Sequence, residues 1–288
     1  MSKPDTTAHK EGSAQCSVGT RSQNAAADTG FEARLAADKA FANWVKRNVK
    51  PHKVPGYAAV LLSLKKTGVP PGDVTADQMD AIAALAERYS FGELRVTHEQ
   101  NLVLADVRRR DLPALWREAR ALGLATPNVG LLTNIISCPG GDYCALANAK
   151  SIPVAQAIQE RFEDLDYLFD IGELDLNISG CMNACGHHHV GHIGILGVDK
   201  AGEEFYQVEI GGAQSPAALG RVIGPAFARH EVPEVIERLI ECYLERRDSE
   251  AERFVDVVHR IGIQPFKERV HANAHQGPSH RARQPVPA

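Results

Sequence analysis

Residues 174–198 read LDLNISGCMNACGHHHVGHIGILGV, and both the fold and the chemistry turn on them. Leu174, Leu176 and Ile178 alternate with Asp175, Asn177 and Ser179, which predicts a half-buried strand ending at Gly180-Cys181. Cys181 and Cys185 follow as C-x3-C, and then come His187, His188, His189 and His192. Strand signals resume over 193–198 and 205–210, with the turn-like Asp199-Lys-Ala-Gly202 between them. These predict a hairpin behind the Cys/His segment. Cysteine and histidine both ligate metals, so a loop held between strands here offers metal-binding chemistry.

A second pair, Cys138 and Cys144, lies upstream as C-x5-C in Cys138-Pro-Gly-Gly-Asp-Tyr-Cys144. Clustered cysteines point to a metal or to catalysis rather than to disulfides in a reducing compartment. C-x5-C is long for a zinc knuckle, and the flanking glycines let backbone N–H groups turn toward cluster sulfurs. Spacing by itself leaves open an iron–sulfur cluster, structural zinc, or unrelated structural cysteines. Cys242 falls among Leu239, Ile240 and Tyr243 and reads as a small buried apolar residue. Cys16 sits in a polar arm with no evident role.

Upstream of the cysteines, residues 31–125 carry the signals of a small α+β unit. An apolar strand is expected over 57–64. Thr75-Ala-Asp-Gln78 is a capping box, followed at helical spacing by Met79, Ile82, Leu85, Ala86 and Tyr89. Short strands are expected over 93–97 and 102–107. A helix capped by Asp111 should then bury Leu112, Leu115, Trp116, Ala119 and Leu122, with Gly123 just past its end. The order β-α-β-β-α is most of a ferredoxin-like, split βαβ arrangement. Residues 126–271 form a second, glycine-rich module that closes with helices over 233–247 and 250–261. Glu234, Glu237, Arg238, Glu241, Glu245 and Arg246 are expected on the solvated face of the first of these. Residues 1–30 and 272–288 are polar and lack periodicity, and are expected to be disordered.

The chain has 288 residues, is 44% hydrophobic and 24% charged, and has a formal net charge of −4. That composition is ordinary for a globular protein. A mildly acidic balance gives no reason to expect nucleic-acid or membrane binding. No long apolar run and no secretory leader is seen, so the expected location is the cytoplasm.

Asn134-Ile-Ile-Ser-Cys-Pro-Gly with Cys144, then Ser179-Gly-Cys-Met-Asn-Ala-Cys-Gly, resembles the sirohaem and [4Fe-4S] motif of the nitrite/sulfite reductase family. The segment Leu94-Arg-Val-Thr-His-Glu-Gln-Asn-Leu-Val-Leu104 is similar to that family's R-x-T-x-x-Q-N segment. The resemblance spans about residues 40–270. It implies an α+β fold, a ferredoxin-like half-module followed by a 4Fe-4S/sirohaem module. It also implies a [4Fe-4S] cluster and sirohaem as cofactors. Cys138, Cys144, Cys181 and Cys185 match the cluster ligands, Cys185 being the thiolate that also bridges to the sirohaem iron. Arg95, Thr97, Gln100 and Asn101 match positions near sirohaem, whose many carboxylates suit an arginine and amide donors. Taken without the resemblance, Arg95 and Thr97 read as a strand-surface pair and Gln100 and Asn101 as a hairpin turn. The implied activity is six-electron reduction of sulfite to sulfide or of nitrite to ammonia, with sulfite favoured by overall likeness. Ferredoxin or a flavoprotein is the implied electron donor.

The family resembles a duplication in which only the second half supplies the cysteines, and this chain resembles that second half. The substrate pocket's arginines and lysines come mainly from the first half. A separate chain supplying that half is one expectation, a truncated chain with poor turnover a second, and an iron–sulfur electron carrier without sirohaem a third. The alternative from a different class is a zinc-binding structural protein using Cys181, Cys185, His189 and His192. Because the cysteine set is already complete, the histidines are expected to supply a polar face or hydrogen bonds near the cofactor. His98 is expected at the surface.

Overall fold

A computed structural model describes residues 31–272. The polar ends expected to be disordered lie outside the described residues, Ala272 excepted, and so does Cys16.

The first module is a four-stranded antiparallel sheet backed by helices. Helix α1 (Lys39–Asn48) opens it, capped by the Asp38 carboxylate, which accepts from the Phe41 N–H. Strands β1 (Val49–Pro51), β2 (Tyr57–Leu62), β3 (Arg95–Val96) and β4 (Leu102–Arg108) pair in the order β1-β2-β4-β3. Helix α2 (Ala76–Tyr89) joins β2 to β3, and helix α3 (Leu112–Ala121) follows β4. The capping box is formed: the Thr75 hydroxyl accepts from the Gln78 N–H at 3.2 Å, and the Gln78 side chain accepts from the Thr75 N–H at 2.9 Å. Strand β1 occupies the sheet edge where a ferredoxin-like fold puts its last strand, so the split βαβ unit is closed by a strand that precedes it. Three residues ending in proline carry no readable strand pattern, which is why β1 escapes the sequence.

Two local expectations change. Met79 points outward, 51% exposed, because the apolar stripe of α2 runs through Ile82, Leu85 and Ala86. Asp111 makes no capping bond; it ends a 3-10 turn, and Pro113 in the first turn of α3 sets the helix start.

The second module is built on a mixed sheet. Strands β5 (Ile136–Ser137), β6 (Leu176–Ser179), β7 (Ile193–Lys200) and β8 (Glu203–Ile210) lie side by side, β5–β6–β7 parallel and β7–β8 antiparallel. The hairpin turns through Ala201 and Gly202, both at positive φ, as a two-residue primed turn requires. The expected half-buried strand at 174–179 is instead buried on both faces, Asn177 and Ser179 included. It is a central parallel strand, covered on each side. Helices α4 (Gly140–Tyr143), α5 (Ile152–Arg161) and α6 (Leu165–Ile171) precede or follow the cysteine loops. Helices α7 (Val232–Arg246), α8 (Phe254–Ile261) and α9 (Gln264–His271) close the module. Helix α8 begins later than expected, at Phe254, since Arg253 and Asp256 pair across its first turn. The charged face of α7 is not simply solvated: Arg161 pairs with Glu237, and Arg269 reaches from α9 to Glu241 and Glu245. Cys242 is buried in α7 as an apolar residue, and burial pushes its thiol pKa up.

Each module has its own apolar cluster, one around Phe41, Trp44, Leu62, Leu104 and Trp116, the other around Ile178, Ile195, Tyr206, Ile236 and Leu239. Between them runs a buried polar seam. Asn128 accepts from the Ser63 hydroxyl at 2.8 Å and donates to the Lys65 carbonyl at 3.1 Å and the Thr133 hydroxyl at 3.2 Å. Asn101 accepts from the Leu64 N–H at 3.0 Å and donates to the Asn134 side chain at 2.9 Å. Asn128→Leu leaves several buried groups unpaired and is expected to cost about 2–4 kcal/mol, read as a lower urea midpoint at unchanged slope.

Candidate metal centre

The four cysteines sit on two loops that lean on each other. Cys138 ends β5, its N–H bonded to the Ile178 carbonyl of β6 at 3.1 Å. The chain then makes the single turn α4 and delivers Cys144, whose N–H returns to the Gly140 carbonyl at 2.9 Å. Cys181 follows the end of β6 after one residue, Gly180, and Cys185 follows a turn in which Ala184 adopts positive φ. The loops cross where side chains cannot fit. A Cβ on Gly180 would lie 2.6 Å from the Ala149 carbonyl oxygen and 2.9 Å from the Gly140 Cα. A Cβ on Gly140, itself at φ 58°, would meet the Ser151 hydroxyl at 2.1 Å. Asn148 and Ala149 donate their N–H groups to the Gly180 carbonyl at 2.9 and 3.0 Å, which locks the crossing.

The thiols grade from inside to outside. Cys138 and Cys181 are buried, Cys144 is half-buried and Cys185 is exposed. The Cys138 sulfur accepts from the Gly180 N–H at 3.1 Å and lies 3.4 Å from the Ser151 hydroxyl. Such donors stabilise a thiolate bound to a cluster. A four-thiolate zinc site, with Zn–S bonds of about 2.3 Å, needs sulfurs roughly 3.8 Å apart. Among the described residues the one group of three or more ligand atoms within 4.8 Å of one another is His188, His189 and Glu209, and it contains no cysteine. Two loops that cross at glycines and a donor-lined inner thiol suit a multi-atom cluster. The same loops expose large apolar side chains, Tyr143 at 80%, Leu146 at 73% and Met182 at 83%. A large cofactor or a protein surface would find apolar contact there. A cavity of about 210 Å³ lies beside Cys138, lined by Gly72, Asp73, Gln100, Ser137 and Tyr143 among others.

The R-x-T-x-x-Q-N residues separate into two groups. Arg95 is exposed on the edge strand β3 and pairs with Glu93. Thr97 closes the hairpin, its hydroxyl accepting from the Asn101 N–H at 3.1 Å. Gln100, at φ 59°, donates to the Ser137 carbonyl at 2.7 Å and accepts from the Ser137 N–H at 3.1 Å. Gln100 and Asn101 therefore spend their amides on the junction next to Cys138. His98 is exposed, as expected.

The histidines disperse. His187 is exposed at the head of a 3-10 turn, His188–Val190. His192 is buried and accepts the Asp175 N–H at 3.1 Å. His189 lies 3.3 Å from the Glu209 carboxylate. The set Cys181, Cys185, His189 and His192 is not assembled at ligand spacing.

One residue near the site gives no motif signal. Lys65 is only 1% exposed, and its amine donates to the Gln100 side chain at 3.0 Å. Burial pushes its pKa down to about 7, against the opposing pull of Glu99 and Asp73. A lysine closing the apolar run 57–64 was the available sign.

Residues 66–122 match the nitrite/sulfite reductase ferredoxin-like half domain, and residues 130–276 match the nitrite and sulphite reductase 4Fe-4S domain. The chain belongs to the nitrite/sulfite reductase family. It is 31% identical to a ferredoxin–nitrite reductase of Synechococcus elongatus over 71% of this chain and 40% of that protein. It is 30% identical to a ferredoxin sulfite reductase of Mycobacterium tuberculosis over 68% of this chain and 38% of that one. The structure of M. tuberculosis NirA superposes with a TM-score of 0.62 at 28% identity, covering 76% of this chain and 41% of NirA. A dissimilatory sulfite reductase structure superposes at 0.63 with 15% identity, covering 80% of this chain and 74% of that one, a likeness of fold. The chain thus spans about two fifths of the curated relatives it matches. A [4Fe-4S] cluster and sirohaem are the cofactors that membership in this family implies.

Lys65 makes the junction pH-sensitive. An unfolded lysine titrates near 10.4. Between about pH 7 and 10.4 the unfolded chain therefore holds more protons, so this group's contribution to stability rises across that window and is flat below it. Urea unfolding of wild type should show that rise, and Lys65→Met should flatten it.

Proposed function

We propose that Cys138, Cys144, Cys181 and Cys185 hold the [4Fe-4S] cluster, with Cys185 bridging to the sirohaem iron. The observation that carries this reading is the crossing at Gly140 and Gly180. It brings the C-x5-C and C-x3-C loops together inside the family's 4Fe-4S domain and leaves Cys185 outermost. We read residues 31–125 and 126–271 as the ferredoxin-like and cluster modules, with the Gln100–Ser137 contact at their junction.

The activity we assign is the cluster-bearing half of a six-electron reductase. Sulfite with eight protons and six electrons gives hydrogen sulfide and three waters; nitrite with the same supply gives ammonium and two waters. When bound, the cluster and sirohaem would supply the one-electron redox chemistry that this reduction needs. This chain's residues orient and insulate: Gly180 and Ser151 hold the Cys138 sulfur, and Gln100 fixes the strand that carries it. Arg95, exposed at the sheet edge and paired with Glu93, would have to exchange that partner to meet a cofactor carboxylate. Ferredoxin, named as donor for the relatives, is the proposed reductant here. A further family half, on this polypeptide or another, completes the pocket with the cations an anionic substrate needs.

Anaerobically purified protein should contain iron and acid-labile sulfide and show intense visible sirohaem bands. Zinc without iron or sulfide would overturn the assignment. Cys185→Ser should lower ferredoxin-driven reduction of both anions by more than about 100-fold. Comparing kcat/KM for sulfite and nitrite in one preparation selects the substrate.

A further inference from the structure

We propose that His188, His189 and Glu209 form a site for a zinc-type divalent transition metal, distinct from the cysteine loops. The elements converge for local reasons. His187 takes a left-handed conformation, φ 54°, and starts the 3-10 turn that swings His188 and His189 back over the sheet. Glu209 sits on β8 directly opposite Gly194 of β7. A Cβ at residue 194 would come within 2.9 Å of the Glu209 Oε1 and 2.3 Å of the His188 carbonyl oxygen. The missing side chain at 194 is what lets the carboxylate lie under the two rings.

The polar accounting is incomplete without a ligand. His188 is fully buried, and neither ring nitrogen has a hydrogen-bond partner. The Glu209 side chain is 10% exposed. Its Oε1 lies 3.3 Å from the His189 Nδ1 and 3.9 Å from the His188 Nε2. Buried imidazole and carboxylate groups left this way carry a desolvation cost that native structures avoid. One cation placed among the His188 Nε2, the His189 Nδ1 and the Glu209 Oε1 satisfies these three atoms and leaves only the His188 Nδ1 unpaired. Bonds of about 2.0–2.1 Å in a tetrahedral shell put donors roughly 3.4 Å apart, so only small side-chain rotations are needed.

The donor set selects the metal class. Two imidazole nitrogens and one carboxylate oxygen suit zinc and its first-row neighbours, whereas calcium and magnesium require oxygen shells. The His189 side chain is 51% exposed, which gives an ion a route in and leaves an outer position for water. His188 lies three residues after Cys185, so a bound ion would pin the descending arm of that loop to the β7–β8 hairpin. No electron transfer is involved, and the inference stands apart from the redox reading.

The test uses the full-length protein with its iron–sulfur content intact and Zn(II) as the probe, after dialysis against a metal-free buffer. Competition with a chromophoric chelator should find one equivalent of Zn(II) bound, and Zn(II) should raise the thermal midpoint. His189→Ala changes a half-exposed side chain and Glu209→Gln keeps the shape, so both should fold. Each should weaken Zn(II) at least about 100-fold and remove the thermal shift, with iron and acid-labile sulfide unchanged. A wild-type protein that takes up no equivalent, or variants that keep it, would overturn the site and leave an ordinary His–Glu ion pair.

Discussion

The amide of Gln100 holds the two modules in register. Strand β5 is the outer strand of its sheet, with the N–H and C=O of Ser137 facing away from β6. Gln100 supplies a donor and an acceptor to those two groups, as a neighbouring strand would, and so caps an edge without extending it. Cys138 is the next residue. The position of this buried thiol therefore depends on a hairpin from the other module, and the left-handed backbone at Gln100 is the cost of aiming its amide there. Behind it, Asn101 and Asn128 continue the same logic, each tying a loop of one core to a loop of the other through groups with no access to water.

From that anchor the cysteine loops are set by exclusion of side chains. Three strands of backbone pass through the space around Gly140, Ala149 and Gly180, where even one methyl would collide. Rigidity of this kind suits a redox centre, since ligand thiols that do not move keep reorganisation small. It also explains why the inner thiols are buried and the outer one is not: the crossing lies beneath Cys138 and Cys181, and the chain rises away from it toward Cys185.

Much of this was legible, for identifiable reasons. The capping box at Thr75, the apolar stripe of α3 and the β7–β8 hairpin follow from local rules that the tertiary structure leaves alone. The family motifs located the cysteine loops. What escaped depends on non-local packing. Strand β1 exists only because β2 offers an edge, and β6 reads as half-buried because alternation reports residue type, not the two covered faces of a central strand. The Q-N pair does lie at a hairpin turn, and what sequence does not show is that its amides also bond across the junction. Lys65 has no motif, and the histidines are expected to give a polar face near the cofactor, with no sign that Glu209, far off in sequence, lies 3.3 Å from His189.

The charge balance around the site bears on the proposal that a further family half completes it. An oxyanion and a polycarboxylate cofactor together demand several fixed cations. Arg95 is already paired with Glu93, and Lys65 is buried with its charge weakened to a pKa of about 7. A carboxylate brought near that amine would raise its pKa again, because an opposite charge favours the ammonium form. Cofactor binding and Lys65 protonation would then reinforce each other, but one such lysine does not neutralise both cofactor and substrate. Tyr143, Leu146 and Met182 on the cysteine loops are exposed apolar side chains, and Lys150 on the first of these loops is already paired with Asp142. Under the proposed reading, a further half that covered these side chains would bring the positive charge and would also exclude the water that otherwise screens the anion.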